Sequence, residues 1–115
     1  MAQNRKKLIV LLIGNLSNSI VHKILENAIK GEKRELADKY RRELMTSFQI
    51  AKRYREKINP INGPLSKKDI LYIKDKTIKR VKSELQTRIS KGYENITLSL
   101  VENEVDKALK DLHIL

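Results

Sequence analysis

The chain contains no cysteine and no tryptophan, and its 115 residues include only one phenylalanine, two prolines and four glycines. Without cysteine there are no disulfides, no thiolate metal sites and no cysteine nucleophile, which is consistent with a cytoplasmic location. Because proline and glycine are scarce, the backbone has few places to turn, and long regular elements are expected. The shortage of aromatic residues predicts a core built from aliphatic side chains.

Negative charge is also scarce, since 14 acidic residues stand against 25 lysines and arginines and leave a net charge of +11. A surface this basic binds polyanions such as nucleic acid, anionic lipid or an acidic protein. With 40% hydrophobic and 34% charged residues, the composition is typical of a folded chain rather than a disordered one. One domain is expected at this length.

Four amphipathic segments account for most of the chain. Each carries apolar residues at steps of three and four, a spacing that predicts a helix. The predicted helices cover about 6–30, 32–58, 66–91 and 99–112. A buried strand over 8–13 is the alternative for the first segment, although no second strand is available to pair with it.

The expected helix boundaries follow from residues that stop or start helices. Gly31 is expected to end the first helix and the pair Asn59-Pro60 the second. Ser66 is followed three positions later by an acidic residue, which is the spacing of a capping box at a helix start. Ser99 repeats this spacing and is expected to cap the fourth helix.

Short connections favour antiparallel neighbours, so the predicted fold is all-α, a single-domain elongated four-helix bundle, mostly antiparallel, with a short fourth helix. The first helix has the broadest apolar stripe, and we expect the part left uncovered to be buried in a homodimer. No membrane span is expected, because no stretch approaches the ~20 apolar residues that one requires. The opposite side of the first helix is expected to carry Asn15, Asn18, Ser19, His22 and Glu26.

Positive charge is concentrated on the second and third helices, whereas the fourth segment is net negative. On helical wheels these cations lie on outer arcs, away from the apolar stripes. If the two helices are neighbours, their arcs form one basic ribbon that contacts phosphates without base readout. The alternative is a solvated surface or an acidic protein partner, since helix surfaces collect lysine anyway. The candidate nucleic-acid-binding residues are Lys39, Arg42, Arg53, Lys57, Lys68, Lys76, Lys79, Arg80 and Lys82.

Three cations break this pattern, because Lys74, Arg55 and Arg88 lie within the apolar arcs of their helices. One interpretation is that their stems cover apolar surface while their charged ends reach solvent or a carboxylate such as Glu104. The other interpretation is that they line a cleft that holds an anion.

Residues suited to catalysis or metal binding lack the required spacing. His22 and His113 have no second ligand at a metal-binding spacing, and His22 with Glu26 one turn later is typical of a surface pair. The glycines are isolated, so no phosphate-binding loop is formed, and the serines lack a nucleophile motif. We therefore expect no catalytic residues, no metal, no cofactor and no small-molecule substrate, in a protein that is not an enzyme.

The tyrosines are the candidates for stacking on bases. Tyr40, Tyr54 and Tyr72 would stack if exposed, but the first two lie on the apolar stripe of the second helix, where core packing is favoured. The sequence thus predicts sequence-non-specific binding of an RNA or DNA backbone. The alternative function is a protein–protein interaction module or a homodimeric adaptor.

Overall fold

The computed structural model describes residues 5–29, 34–59 and 63–115. Within these ranges the chain forms only helices and loops, which confirms the all-α prediction and makes the strand alternative for 8–13 wrong. The helix ends expected at Gly31 and at the proline of Asn59-Pro60 lie outside the described residues. The elements are α1 (Arg5–Ile29), α2 (Arg34–Ile58), α3 (Lys67–Ser90), a 3-10 turn (Leu98–Leu100) and α4 (Val101–Asp111).

The start of α3 agrees with the predicted capping box, whereas the start of α4 does not. The Ser66 hydroxyl accepts a hydrogen bond from the backbone N–H of Asp69 at 3.2 Å. The Asp69 carboxylate accepts from the Arg5 guanidinium, which lowers the pKa of Asp69 and joins the starts of α1 and α3. The prediction at Ser99 is wrong, because Ser99 lies inside the 3-10 turn, whose backbone hydrogen bonds lead into α4 without a side-chain cap.

Contacts between named residues give the direction of each helix. Along α1, Asn18 bonds Ser47 of α2 and the later residue His22 pairs with the earlier residue Glu43, so α2 is antiparallel to α1. Arg5 contacts the start of α3 and Gly14 lies beside Arg80, so α3 is parallel to α1. The ion pairs Lys74–Asp106 and Lys82–Glu102 make α4 antiparallel to α3. The bundle is elongated, at 46 × 23 × 21 Å.

The helix α1 lies at the centre of the bundle and packs against α2, α3 and α4. By contrast, α2 and α3 do not pack against each other as neighbours, since α1 lies between them. This arrangement differs from the adjacent pair on which the predicted basic ribbon depends. The physical reason is that α1 carries nine buried aliphatic side chains, more than any other helix, and is most stable when these are surrounded.

The expectation of an uncovered stripe on α1 is wrong. Among the described residues of α1, Val10 is the one large hydrophobic side chain that is exposed, at 55%. After α4 ends, Leu112 and Ile114 extend the cover and are themselves buried. The homodimer prediction rested on such an uncovered face, so that support for it is removed. The buried aliphatic residues of α1 are Leu8, Ile9, Leu12, Ile13, Leu16, Ile20, Val21, Ile24 and Leu25.

Part of the polar side of α1 is an interface with α2, although Asn18 on that side stays exposed. Ser19 is buried and donates a hydrogen bond to the carbonyl of Leu44 at 3.0 Å. His22 is 8% exposed, and its Nε2 lies 2.6 Å from a carboxylate oxygen of Glu43. The predicted surface pair of His22 with Glu26 is therefore wrong, since His22 is buried and pairs across helices. Small residues on the facing side of α2 allow this close approach.

Arg55 is 1% exposed, which contradicts both interpretations offered for it. Its guanidinium donates hydrogen bonds to the side-chain oxygen of Asn59, to the carbonyl of Gly63 at 3.1 Å and to the carbonyl of His113 at 3.1 Å. It thus reaches neither solvent nor a carboxylate, and burial lowers its pKa. These bonds join the end of α2, the connection to α3 and the segment after α4.

A buried hydroxyl in α3 gives a test of the core. Thr77 is fully buried, and its Oγ1 has no hydrogen-bond partner among the described residues. Thr77→Val keeps the shape and removes this unsatisfied group, so we expect the free energy of unfolding to rise by about 1 kcal/mol in urea titration. Thr87→Val in the same helix is the control, because the exposed Thr87 hydroxyl donates to a carbonyl and no gain is expected. A loss of stability in Thr77→Val would contradict the prediction.

Within the described ranges, α1 is the one helix that is long and apolar enough to cross a membrane, judged by length and composition. This differs from the expectation that no stretch of the chain is apolar enough to span a membrane. However, 67% of this apolar stretch is buried inside the bundle, and the core helix of a soluble protein passes the same test. The finding is a weak indication and assigns no membrane location.

Candidate functional site

The acidic residues of α4 neutralise lysines on one side of the bundle. Three ion pairs join α4 to its neighbours α1 and α3. Their nitrogen–oxygen distances are 2.7 Å for Lys23–Glu104, 3.0 Å for Lys74–Asp106 and 3.2 Å for Lys82–Glu102. Carboxylates and lysines are thus matched on the side that α4 covers, and the positive excess lies on the rest of the surface.

A row of unpaired cations runs along α2. Lys39, Arg42, Arg53 and Lys57 are all exposed, and their spacing places them on one stripe of the helix. None of these four forms an ion pair with a carboxylate in the part of the chain that the structure describes. The row extends about 27 Å at 1.5 Å per residue.

A second row runs along α3 and consists of Lys68, Lys76, Lys79 and Arg80, all of them exposed. Only Lys79 forms an ion pair among these four in the described ranges, with Asp75 on its own helix at 3.2 Å. Both groups of that pair are well exposed, so the attraction is weak and readily exchanged for another anion.

Lys82 is the candidate residue that the structure separates from the others. Its side chain is partly buried and pairs with Glu102 of α4. It therefore lies on the matched α4 side. The helical wheel placed Lys82 on the outer arc because a wheel of α3 alone does not show where α4 lies.

One arginine from each row lies next to α1. The Arg80 guanidinium lies beside Gly14, with Nη1 3.7 Å from the position that a Cβ would take. Arg42 lines a shallow depression together with Asn18, one turn further along α1, and with Glu43. Because residues four apart share one face of a helix, Gly14 and Asn18 lie on the same strip of α1. These contacts place Arg42 and Arg80 near that strip, with α2 and α3 on either side of α1.

We call this surface the basic face. It comprises the accessible strip of α1 at Val10, Gly14 and Asn18 and the cation rows on either side of it. The α2 row consists of Lys39, Arg42, Arg53 and Lys57, and the α3 row of Lys68, Lys76, Lys79 and Arg80.

The opposite directions of α2 and α3 decide which cations lie level with each other. Asn18 bonds Ser47, so the residues after Ser47 in α2 lie beside the N-terminal half of α1. Arg53 and Lys57 are therefore level with that half, and Lys76 of α3 borders it as well. Cations of both rows therefore lie level with the first part of α1.

A depression of about 410 Å³ lies beside the first part of α1. The residues that line it include Tyr72, which is 46% exposed, and the exposed Val10. The Nζ atom of Lys76 lies 5.8 Å from the centre of the Tyr72 ring. Tyr40 and Tyr54 instead pack against the core, which confirms the prediction for those two. The lining residues are Val10, Ile13, Tyr72, Lys76, Lys79 and Arg80.

Lys74 and Arg88 do not line an anion-binding cleft. Lys74 reaches a carboxylate, as the first interpretation predicted, although the partner is Asp106 rather than Glu104. Arg88 lies 5.5 Å from the ring centre of Tyr93 and is partly buried. Both residues belong to the packing of α3 against its surroundings.

The contribution of α1 to this face was not predicted from the sequence. Gly14 stands alone in a long helical pattern, where a glycine is destabilising by about 1 kcal/mol relative to alanine. The Arg80 guanidinium lies beside this position, but at 3.7 Å it would make only ordinary van der Waals contact with a Cβ, so the packing does not require glycine there.

A second large depression, of about 300 Å³, lies between α1, α2 and α4. It is lined by apolar side chains and by charges of both signs, so it lacks the charge excess of the basic face.

Comparison with known proteins found no matching family model, no matching curated protein and no matching solved structure.

Proposed function

We propose that this protein binds the phosphate backbone of nucleic acid, RNA or DNA, at the basic face and catalyses no reaction there. The observation that carries the proposal is the unequal distribution of ion pairs. Acidic residues of α4 match the lysines on one side, while seven of the eight cations on the basic face have no ion-pair partner within the described ranges. A polyanion supplies the missing negative charge.

Binding of this kind draws its free energy from counterion release. Each phosphate that a lysine or arginine neutralises releases condensed cations from the nucleic acid. Long side chains on two rows adapt to irregular phosphate positions, so the face needs no deep groove. Arg42 and Arg80, one from each row, lie next to α1, where a strand can contact both of them.

The polar groups near the basic face favour binding without base specificity. The side-chain amide of Asn18 donates to the Ser47 hydroxyl at 2.6 Å, and the Thr46 hydroxyl donates to the carbonyl of Arg42 at 3.0 Å. Each side chain thus has one donor engaged within the protein, which leaves fewer groups to read base edges. Lysine and arginine contacts to phosphate position a strand but carry no sequence information.

The test is a titration of the protein with single-stranded and duplex oligonucleotides over a series of salt concentrations. We expect binding at about 50 mM salt and a linear fall of log affinity with log salt, by ~0.9 per phosphate contacted on duplex and ~0.7 on a single strand. Polyglutamate of similar charge serves as the competitor that represents an acidic protein. Absence of binding at low salt, or equal affinity for polyglutamate, would contradict the proposal.

A further inference from the structure

Tyr72 is the most exposed aromatic residue of the chain, at 46%. Tyr40, Phe48 and Tyr54 pack in or against the core. Tyr93 is 39% exposed and is engaged by Arg88, whose guanidinium lies over the ring and donates to the Tyr93 hydroxyl at 3.4 Å. In contrast, the Tyr72 ring is exposed and contacts a lysine one turn away on its own helix. In a chain with so few aromatic residues, an exposed ring calls for an explanation.

The surroundings of Tyr72 combine an apolar floor with a cationic rim. Val10 and Ile13 of α1 lie beside the ring in the same depression. Lys76, Lys79 and Arg80 border it on the side of α3. An aromatic face next to cations is the arrangement with which proteins hold single-stranded nucleic acid, because bases stack on the ring while phosphates meet the charges.

We infer that the basic face takes single-stranded nucleic acid in preference to duplex, with one base stacked on Tyr72, an inference that rests on the proposed function. A paired base inside a duplex has both of its faces covered by neighbouring bases, so it has no face to offer the ring. An unpaired base has a free face and enters the depression. The adjoining phosphates then meet Lys76 and Arg80, and the strand continues over α1 toward Arg53.

The cation that lies near the ring does not block this site. The Nζ atom of Lys76 is 5.8 Å from the ring centre and its side chain is exposed. An exposed lysine contact of this kind is weak. A phosphate next to the stacked base replaces it with a full charge–charge contact.

The test compares Tyr72→Ala, Tyr72→Phe and Tyr72→Leu with the wild type, using a thymidine oligonucleotide about 12 nucleotides long and a duplex of equal length. We expect Tyr72→Ala to weaken single-strand binding about 10-fold, and Tyr72→Phe to stay within about twofold because the ring is kept. Tyr72→Leu keeps an apolar side chain without the ring and is expected to lose most of the same affinity. The salt dependence is expected to stay unchanged, since no charge is removed.

A strand of the same length with abasic positions checks the role of the base. Wild-type protein is expected to bind the abasic strand about as weakly as Tyr72→Ala binds the ordinary one. Circular dichroism confirms that each variant is folded. If Tyr72→Ala binds the single strand like the wild type, or loses duplex binding equally, the stacking inference is overturned while salt-dependent backbone binding stands. If the wild type binds neither oligonucleotide, the proposed function fails as well.

Discussion

Replacing Lys76, Lys79 and Arg80 together with alanine is expected to weaken binding of a single-stranded oligonucleotide about 100-fold at ~0.1 M salt. These three side chains line the depression at Tyr72 and account for all of its charged residues. If each contacts one phosphate, the slope of log affinity against log salt falls by about two units, since a single strand contributes ~0.7 per contact. Fluorescence anisotropy at several salt concentrations measures both quantities.

A matched control separates position from net charge. Lys91, Lys107 and Lys110 are exposed and lie outside the basic face, so their joint replacement with alanine removes the same charge. We expect this control variant to bind within about threefold of the wild type and to keep its slope, because distant charges are largely screened in salt. Equal losses in the two triple variants would show that total charge, rather than the basic face, governs binding.

Arg55→Ala is expected to lower the free energy of unfolding by about 3 kcal/mol, or the melting temperature by roughly 10 °C. The guanidinium is buried and bonded to three oxygens, and its removal leaves those acceptors unsatisfied and a cavity between α2 and the segment after α4. No carboxylate offsets the buried charge within the described residues. The C-terminal ends of α2 and α4 supply partial negative charge instead.

Two further variants define what Arg55 does. Arg55→Lys keeps the charge, but its single nitrogen cannot reach all three acceptors, so we expect about half of the loss. Lys52→Ala removes an exposed cation from the same helix and is expected to change stability by less than about 0.5 kcal/mol. Urea titration followed by circular dichroism measures all three variants. Wild-type stability in Arg55→Ala would show that the three hydrogen bonds contribute nothing.

The local elements were predictable because their causes are local. Helix periods and boundaries depend on residues within a few turns of one another, and the four predicted helices agree with the observed ones to within two residues. The cap at Ser66 followed from a spacing of three residues. Tyr40 and Tyr54 were assigned to the core from their place on the stripe of α2, and both pack against it.

The errors concern residues whose role depends on a distant partner. His22 and Ser19 looked solvent-facing because they are polar, yet they are buried against α2, where Glu43 and the Leu44 carbonyl satisfy them. Arg55 lies on the apolar arc of its helix, and its acceptor at His113 is 58 residues away in sequence. No periodicity within one helix contains that information.

The candidate surface also combines features that depend on neighbouring residues with features that depend on packing. The number of cations and their stripes on α2 and α3 were determined by composition and by the helical repeat, both of which are properties of contiguous residues. How the two stripes lie relative to each other was decided by packing, since α1 takes the central position and separates the two helices. Tertiary structure also placed α4 against α1 and α3, where its carboxylates match nearby lysines, because burial of apolar area governs which helices meet. The helices and the charge excess thus follow from the sequence itself, whereas the central position of α1, with α2 and α3 on either side of it, was decided by which apolar surfaces pack together.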